Sequence, residues 1–399
     1  MAASRKLSPP SFILTNGGPV DHLLARLRLR SPTRKQIASF IMIGWLPLLL
    51  LSALQGIAIG QSVRVPFLLD IGEQVRLLLV VPLLLMAEPI ISASVREAVE
   101  QFHHEQLVLE EEEKLAFDNA THRAMRWKES ALAEVILVGV VIVLTFAQLD
   151  TIQKTVGTSW LYPRLTASSN HPGHLFLTLS LAGKWLALVG LPIYRFLLLR
   201  WIWRFIIWTG FLWQVSRLRL QLIPTHPDRA GGLAFLADTQ LRFAVLLFAA
   251  SAVVASAMAN LIVYEGKSPL QFKLTVFWFI AFAVLIVLLP LFSFTTKLIA
   301  LKEEGQLEYG QLSMTYSRSF QQKWLGSTSP SDPLLGNDDI QSLADMSKSF
   351  SIIREMRIVP FDYKTIKYLV LATILPFLPL LLAVVPLQEL WQKTRDFLL

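Results

Sequence analysis

Residues 77–94 read LLLVVPLLLMAEPIISAS, and this stretch decides the fold. It is apolar apart from Glu88 and two serines, and with its flanks it reaches the roughly 20 residues that a helix needs to cross a bilayer core. A charge at that depth is costly, so it usually faces the bundle interior, finds a partner or changes protonation state. Glu88 is therefore expected inside a bundle of helices. Pro82 and Pro89 free the carbonyls of Leu78 and Leu85. In a membrane such groups must be satisfied again by protein or water, which implies a kinked span beside a wetted interior.

The rest of the chain agrees with this reading. Of 399 residues, 53% are hydrophobic and only 17% are charged, and the mean hydropathy is +0.50. Those values exclude a set of ordinary soluble domains and predict an all-α, polytopic membrane bundle. The first 38 residues are polar and basic without the pattern of a removable signal peptide, so the first hydrophobic helix is expected to act as the insertion signal. With no cysteine there is no disulfide, thiolate metal site or thiol nucleophile. The net charge of +8 is carried by Lys and Arg beside apolar spans rather than on a separate polar domain. It therefore points to membrane orientation and anionic headgroups, not to nucleic acid.

Seven spans are predicted: Ser39 to Ala58, Leu77 to Val95, Ala131 to Leu149, Leu175 to Leu199, Leu241 to Tyr264, Lys273 to Leu298 and Ile366 to Pro386. Arg26, Arg28, Arg30, Arg34 and Lys35 precede the first span, whereas the first return loop has only Arg64 and Arg76, so a cytoplasmic N-terminus is expected. The organisation that follows is a basic N-terminal segment over 1–38 with an amphipathic helix at Val20 to Leu29, then six spans over 39–298. Within these lie a cytoplasmic helical extension at 96–130, continuing the second and third spans, and a cytoplasmic loop at 216–240. A cytoplasmic helical hairpin over 299–365 and a last span with a short tail over 366–399 complete it. Arg200 to Val215, with Trp201, Trp203, Trp208 and Trp213 between Arg200 and Arg204, is expected to lie at the interface, where indole and guanidinium groups favour the headgroup level.

Two sets of residues stand out as candidate sites. Glu88 lies about 17 Å into its predicted span and Lys184 lies at a matching height in the fourth, so the two are expected to pair or to share a polar cavity, with Asn260 as a further polar interior group. Outside the membrane, His226-Pro227-Asp228-Arg229-Ala230-Gly231-Gly232-Leu233 is the most motif-like stretch. Asp228 can cap a turn, Gly231 and Gly232 permit positive φ, and Arg229 suits a phosphate or carboxylate. This stretch reads either as a structural turn leading into the fifth span or as an anion or lipid-headgroup site. The His103-His104-Glu105 and His171, His174 groups lack the spacing or further ligands of a zinc site. No Walker A sequence, Gly-x-Ser-x-Gly elbow or potassium filter is present, so no catalytic residue, metal site or cofactor is assigned.

The His226 to Leu233 stretch, Glu308-Tyr309-Gly310, Arg354-Glu355-Met356-Arg357-Ile358-Val359-Pro360-Phe361 and the proline-rich last span together resemble a family of bacterial inner-membrane proteins of uncharacterised function. The resemblance covers roughly the C-terminal half. It implies a bacterial inner-membrane location and no known activity, so it transfers no functional residue. The leading expectation is a transport protein or ion channel, with a non-enzymatic scaffold or sensor second and a membrane enzyme on a lipid-linked substrate third. Membrane lipids, anionic headgroups included, are the expected partners; a homo-oligomer and a cytoplasmic protein partner stay open, and no nucleic acid is expected.

Overall fold

The computed structural model describes residues 33–60, 62–105, 107–156, 159–162, 179–326 and 338–382. The amphipathic segment before the first span, the paired histidines near 171 and the C-terminal tail lie outside the described residues. Among those described the architecture is all-α, and the sole extended pairing is an isolated parallel bridge between Val65 and Ser159. Among the described residues six helices are long and apolar enough to span a membrane, the first of them α1 (Arg34–Leu54).

In chain order the elements are α1, a short α2 (Phe67–Leu69, a 3-10 turn), α3 (Ile71–His104), α4 (Glu111–Lys128), α5 (Ala131–Val156), α6 (Leu181–Val215), α7 (Phe235–Glu265), α8 (Pro269–Trp324), α9 (Asp338–Arg354) and α10 (Tyr363–Leu380). The spanning candidates are α1, α3, α6, α7, α8 and α10, and in α5 the stretch Ala131–Thr145 is a shorter apolar helix. At 34 and 35 residues, α3 and α6 are about 50 Å long, well beyond a bilayer core of about 30 Å.

Proline shapes these helices locally. In α3 a π-helical stretch, Val75–Val80, ends just before Pro82, and Val81 donates to the carbonyl of Arg76 five residues back. In α6 the stretch Leu186–Gly190 ends just before Pro192, and Leu191 likewise donates to Leu186. A proline ring clashes with the carbonyl four residues earlier, and a widened turn relieves that clash. Pro290 and Pro376 instead sit in 3-10 segments of α8 and α10. Pro89 is held within regular α-helix.

Contacts along the helices fix their directions. The side chain of Leu77 lies 3.9 Å from where a Cβ on Gly190 would stand, the Trp201 indole donates to the Leu84 carbonyl at 2.9 Å, and Arg204 meets Glu88. The partners rise in number together, so α3 and α6 are parallel. In α7, Phe235 meets Phe102 while Asn260 meets Asp70, so α7 runs against α3. The rings Phe279 with Phe377 and Phe292 with Phe361 make α10 antiparallel to α8. The bundle thus has an Asp70 end and an Asp228 end.

Between them one continuous core joins α3, α4, α6, α7, α8 and α10, with Val80, Leu84, Ile91, Trp208, Phe211, Leu291 and Leu369 almost wholly buried. Large apolar side chains lie outside, including Leu132, Val135 and Val143 on α5 and Phe277, Trp278 and Phe282 on α8. An apolar surface of that kind suits contact with lipid tails, where packing rather than a hydrophobic effect holds helices together.

Three expectations are corrected. The segment from Arg200 to Val215 is no separate interfacial helix: it continues α6 without a break, and Trp201, Arg204, Trp208 and Phe211 are buried in the core. The fourth span also starts later than Leu175, with Ser180 capping it by accepting from the Gly183 N–H at 2.8 Å. The third span does not extend backwards into the 96–130 region. That region holds the end of α3 and then a separate α4, which folds onto α6 through Phe117, Ala120 and Ala124.

Candidate functional site

Glu88 lies on the face of α3 that meets α6, and its carboxylate accepts from Arg204 Nη1 at 2.7 Å. The Arg204 side chain is only 3% exposed, against 23% for Glu88, and its guanidinium lies 5.0 Å from the Trp201 ring centre. Lys184 is not the partner. It stands twenty residues before Arg204 on the same helix, roughly 30 Å along the axis. The parallel register and the later start of α6 place Lys184 near the Asp70 end, where it is partly exposed. The carboxylate found its cation in the Trp- and Arg-rich stretch instead.

A second polar group, which the sequence reading passed over, lies at the Asp70 end. Asp70 caps α3 by accepting from the Glu73 N–H at 3.3 Å. The same oxygen accepts from Asn260 Nδ2 at 2.9 Å, and the other accepts from the Trp160 indole at 2.9 Å. One carboxylate therefore ties together α3, α7 and the segment after α5. Tyr264 Oη donates to the Leu69 carbonyl at 2.8 Å and Arg64 donates to the Tyr264 carbonyl, closing the rim. Glu73 is buried and pairs through one oxygen with Arg76, whose guanidinium lies 5.4 Å from the Tyr194 ring centre.

These groups line a chamber of about 190 Å³, bounded by Arg64, Asp70, Glu73, Arg76, Ser159 and Asn260 among others. Four of its buried atoms have no hydrogen-bond partner among the described residues: Glu73 Oε2, Arg76 Nε, Ser159 Oγ and Asn260 Oδ1. The π-helical stretch of α3 borders it, since Arg76 belongs to that stretch and lines the chamber. Toward Glu88 the chamber is closed. Val80, Val81, Leu84 and Leu85, each at most 3% exposed, fill the interval.

The sequence did hold a signal for this site. Asp70-Ile-Gly-Glu73, directly before the apolar run, has the spacing of a capping box, with Asp at the cap. Asn260 was expected as an interior polar residue, and it lies on the chamber wall, bonded to a neighbouring helix.

At the opposite end the His226 to Leu233 stretch forms a compact turn. The Asp228 carboxylate accepts from the N–H groups of Ala230, Gly232 and Ala234 at 2.8, 3.2 and 3.0 Å. Burial pushes its pKa up, but the bonds from Ala230, Ala234, His226 and Gly232 outweigh it and hold the carboxyl below the usual carboxylate range. Gly231 and Gly232 adopt φ of 65° and 96°, and Arg229 itself sits at 55°. Arg229 pairs with Glu355 at 3.0 Å, and its carbonyl accepts from the Arg357 N–H at 2.8 Å. Arg357 also donates to the Asp228 carbonyl at 2.8 Å. The two motif-like segments, separated by more than a hundred residues, therefore form one latch between the α6–α7 loop and the end of α9. Arg229 is engaged by a carboxylate of the chain itself.

Among the described residues no group of three or more His, Asp or Glu is arranged to hold a metal ion. The chain matches no protein-family model, no curated protein and no solved structure.

Proposed function

We propose that this chain is a membrane transport protein whose solute enters the chamber at the Asp70 end. The observation that carries the reading is the buried polar chamber itself, walled by α3 and the antiparallel α7, with α3 departing from α-helical geometry at the Arg76 edge. Irregular backbone at membrane depth is tolerated where it is buried or lines a cavity, and broken helices beside such a cavity are common in transporters. The chamber is open at one end and sealed by apolar side chains toward the other, as a carrier accessible from one side would be.

The same reading gives the chain seven crossings in a bacterial inner membrane. Parallel α3 and α6 require an odd number of crossings between them, and α5 supplies one. It begins beside Trp127, which stacks on Trp203 of α6, and the chain after it reaches Asp70 through Trp160. Arg217, Arg219, Arg229, Arg354, Arg357 and Lys364 gather at the Asp228 end, and this basic excess supports a cytoplasmic Asp228 end and an outward-facing chamber. The Glu88–Arg204 pair then serves to fix the register of α3 on α6 rather than to conduct.

Flux into liposomes holding the purified protein tests this with a panel of inorganic ions, amines and amino acids. Glu73→Gln abolishes the flux while the protein still inserts and assembles. No flux for any member of the panel, together with a stably co-purifying cytoplasmic protein, would overturn transport. It would favour a scaffold or sensor, for which the hairpin of α8 and α9 is the relevant surface, with Leu307, Leu312 and Met314 exposed along it.

A further inference from the structure

We propose that the chamber binds the ammonium group of a small primary amine, through Glu73 Oε2, Asn260 Oδ1 and Ser159 Oγ. The inference deepens the transport reading and rests on it for the purpose of binding, though not for the chemistry. A primary ammonium carries three N–H donors and no acceptor. Among the described residues three buried oxygens on the chamber wall lack a partner, and they come from three different parts of the fold. Glu73 is 6% exposed, so an unmet carboxylate oxygen there is costly unless a donor arrives.

The orientation of Asn260 is fixed by its neighbour. A carboxylate only accepts, so the amide nitrogen must face Asp70 Oδ1, and the amide oxygen is left for another donor. The cations nearby leave Glu73 Oε2 unmet. Arg76 is committed to Glu73 Oε1 and lies over the Tyr194 ring, Arg64 is committed to the Tyr264 carbonyl, and the Arg195 charge acts on Glu73 without a hydrogen bond to Oε2. Arg76 Nε remains as a single donor, which can receive one acceptor elsewhere on the same solute. The size also fits. About 190 Å³ is far more than the ~10–15 Å³ a single water needs and less than the ~300 Å³ at which pockets for drug-sized ligands begin.

Thermal unfolding of the full chain in detergent, followed by tryptophan fluorescence, tests the proposal with methylammonium chloride as the probe. Sodium, potassium and tetramethylammonium chlorides at equal ionic strength are the comparison arms. Methylammonium is expected to raise the unfolding temperature saturably, whereas tetramethylammonium, with no N–H donor, does not. Glu73→Gln weakens the half-saturating concentration at least tenfold and Ser159→Ala several-fold; should Glu73→Gln fail to fold, Ser159→Ala decides. An equal response to tetramethylammonium, an unchanged response in a folded variant, or a response to sodium or potassium alone overturns the ammonium assignment. Methylammonium binding without flux of any solute removes transport and leaves the site. Flux of another solute without methylammonium binding removes the site and leaves transport.

Discussion

Replacing Glu88 by Leu leaves the Arg204 guanidinium, 3% exposed, without the carboxylate that meets it at 2.7 Å. Breaking a buried pair by removing one partner typically costs about 3–5 kcal/mol, since a charge stays behind in a low-dielectric interior. Glu88 is 23% exposed, so part of its own charge is still solvated, and the lower half of that range, about 3 kcal/mol, is expected for Glu88→Leu. Glu88→Gln keeps an acceptor for Nη1 and should cost less, about 1.5–2 kcal/mol. Removing both charges with Glu88→Leu and Arg204→Met should restore most of the loss, because an apolar pair of similar volume needs no desolvation. The assay is reversible unfolding in mixed detergent micelles across the double-mutant cycle. A coupling energy below about 0.5 kcal/mol would refute the register role. So would a double variant no more stable than Glu88→Leu alone.

Asp228→Ala removes three charge-assisted caps of one turn and should cost about 2–3 kcal/mol by thermal denaturation. Because folding holds the Asp228 carboxyl below its usual range, its contribution is complete above roughly pH 5 and is lost only as the pH falls below about 4, through the depressed folded value; a difference between wild type and Asp228→Ala that does not shrink as the pH is lowered below about 4 would contradict this. A Cβ on Gly305 would stand 2.8 Å from Pro224 Cβ, and the ring cannot move aside, so Gly305→Ala should lower stability by about 1–3 kcal/mol and loosen α8 from the α6–α7 loop, seen as faster proteolysis there. The chain has no cysteine, so Lys267→Cys and Ser319→Cys provide unique labels; an impermeant maleimide should reach the first from outside intact cells and the second only after lysis, and labelling of both from one side would contradict the proposed orientation.

The apolar lengths of six helices and the polar hairpin beyond them were legible in the sequence, because a span needs a run of apolar residues and nothing else tolerates one. Asp228 as a cap and the two glycines beside it were legible for the same kind of reason: each answers a local backbone demand, in the left-handed φ of 65° and 96° and in N–H groups within six residues. The partner of Glu88 was not legible. An apolar run does not mark where its helix begins or ends: α6 starts at Leu181 and carries its buried face on through Val215. A Trp- and Arg-rich stretch suits an interface by composition, and only its contact with α3 turns it into core.

The chamber shows the same division. Asp70 and Glu73 have the spacing of a cap in sequence, which is a local fact. The meeting of Asp70 with Trp160, 90 residues away, and Asn260, 190 residues away, depends on the antiparallel packing of α7 on α3 and on the return of the chain after α5. What the sequence by itself determined is which segments are helical and apolar, since those follow from neighbours along the chain. What only the tertiary structure decided is which polar groups share a space, because the register of one helix on another is set by packing over its whole length and not by any one residue.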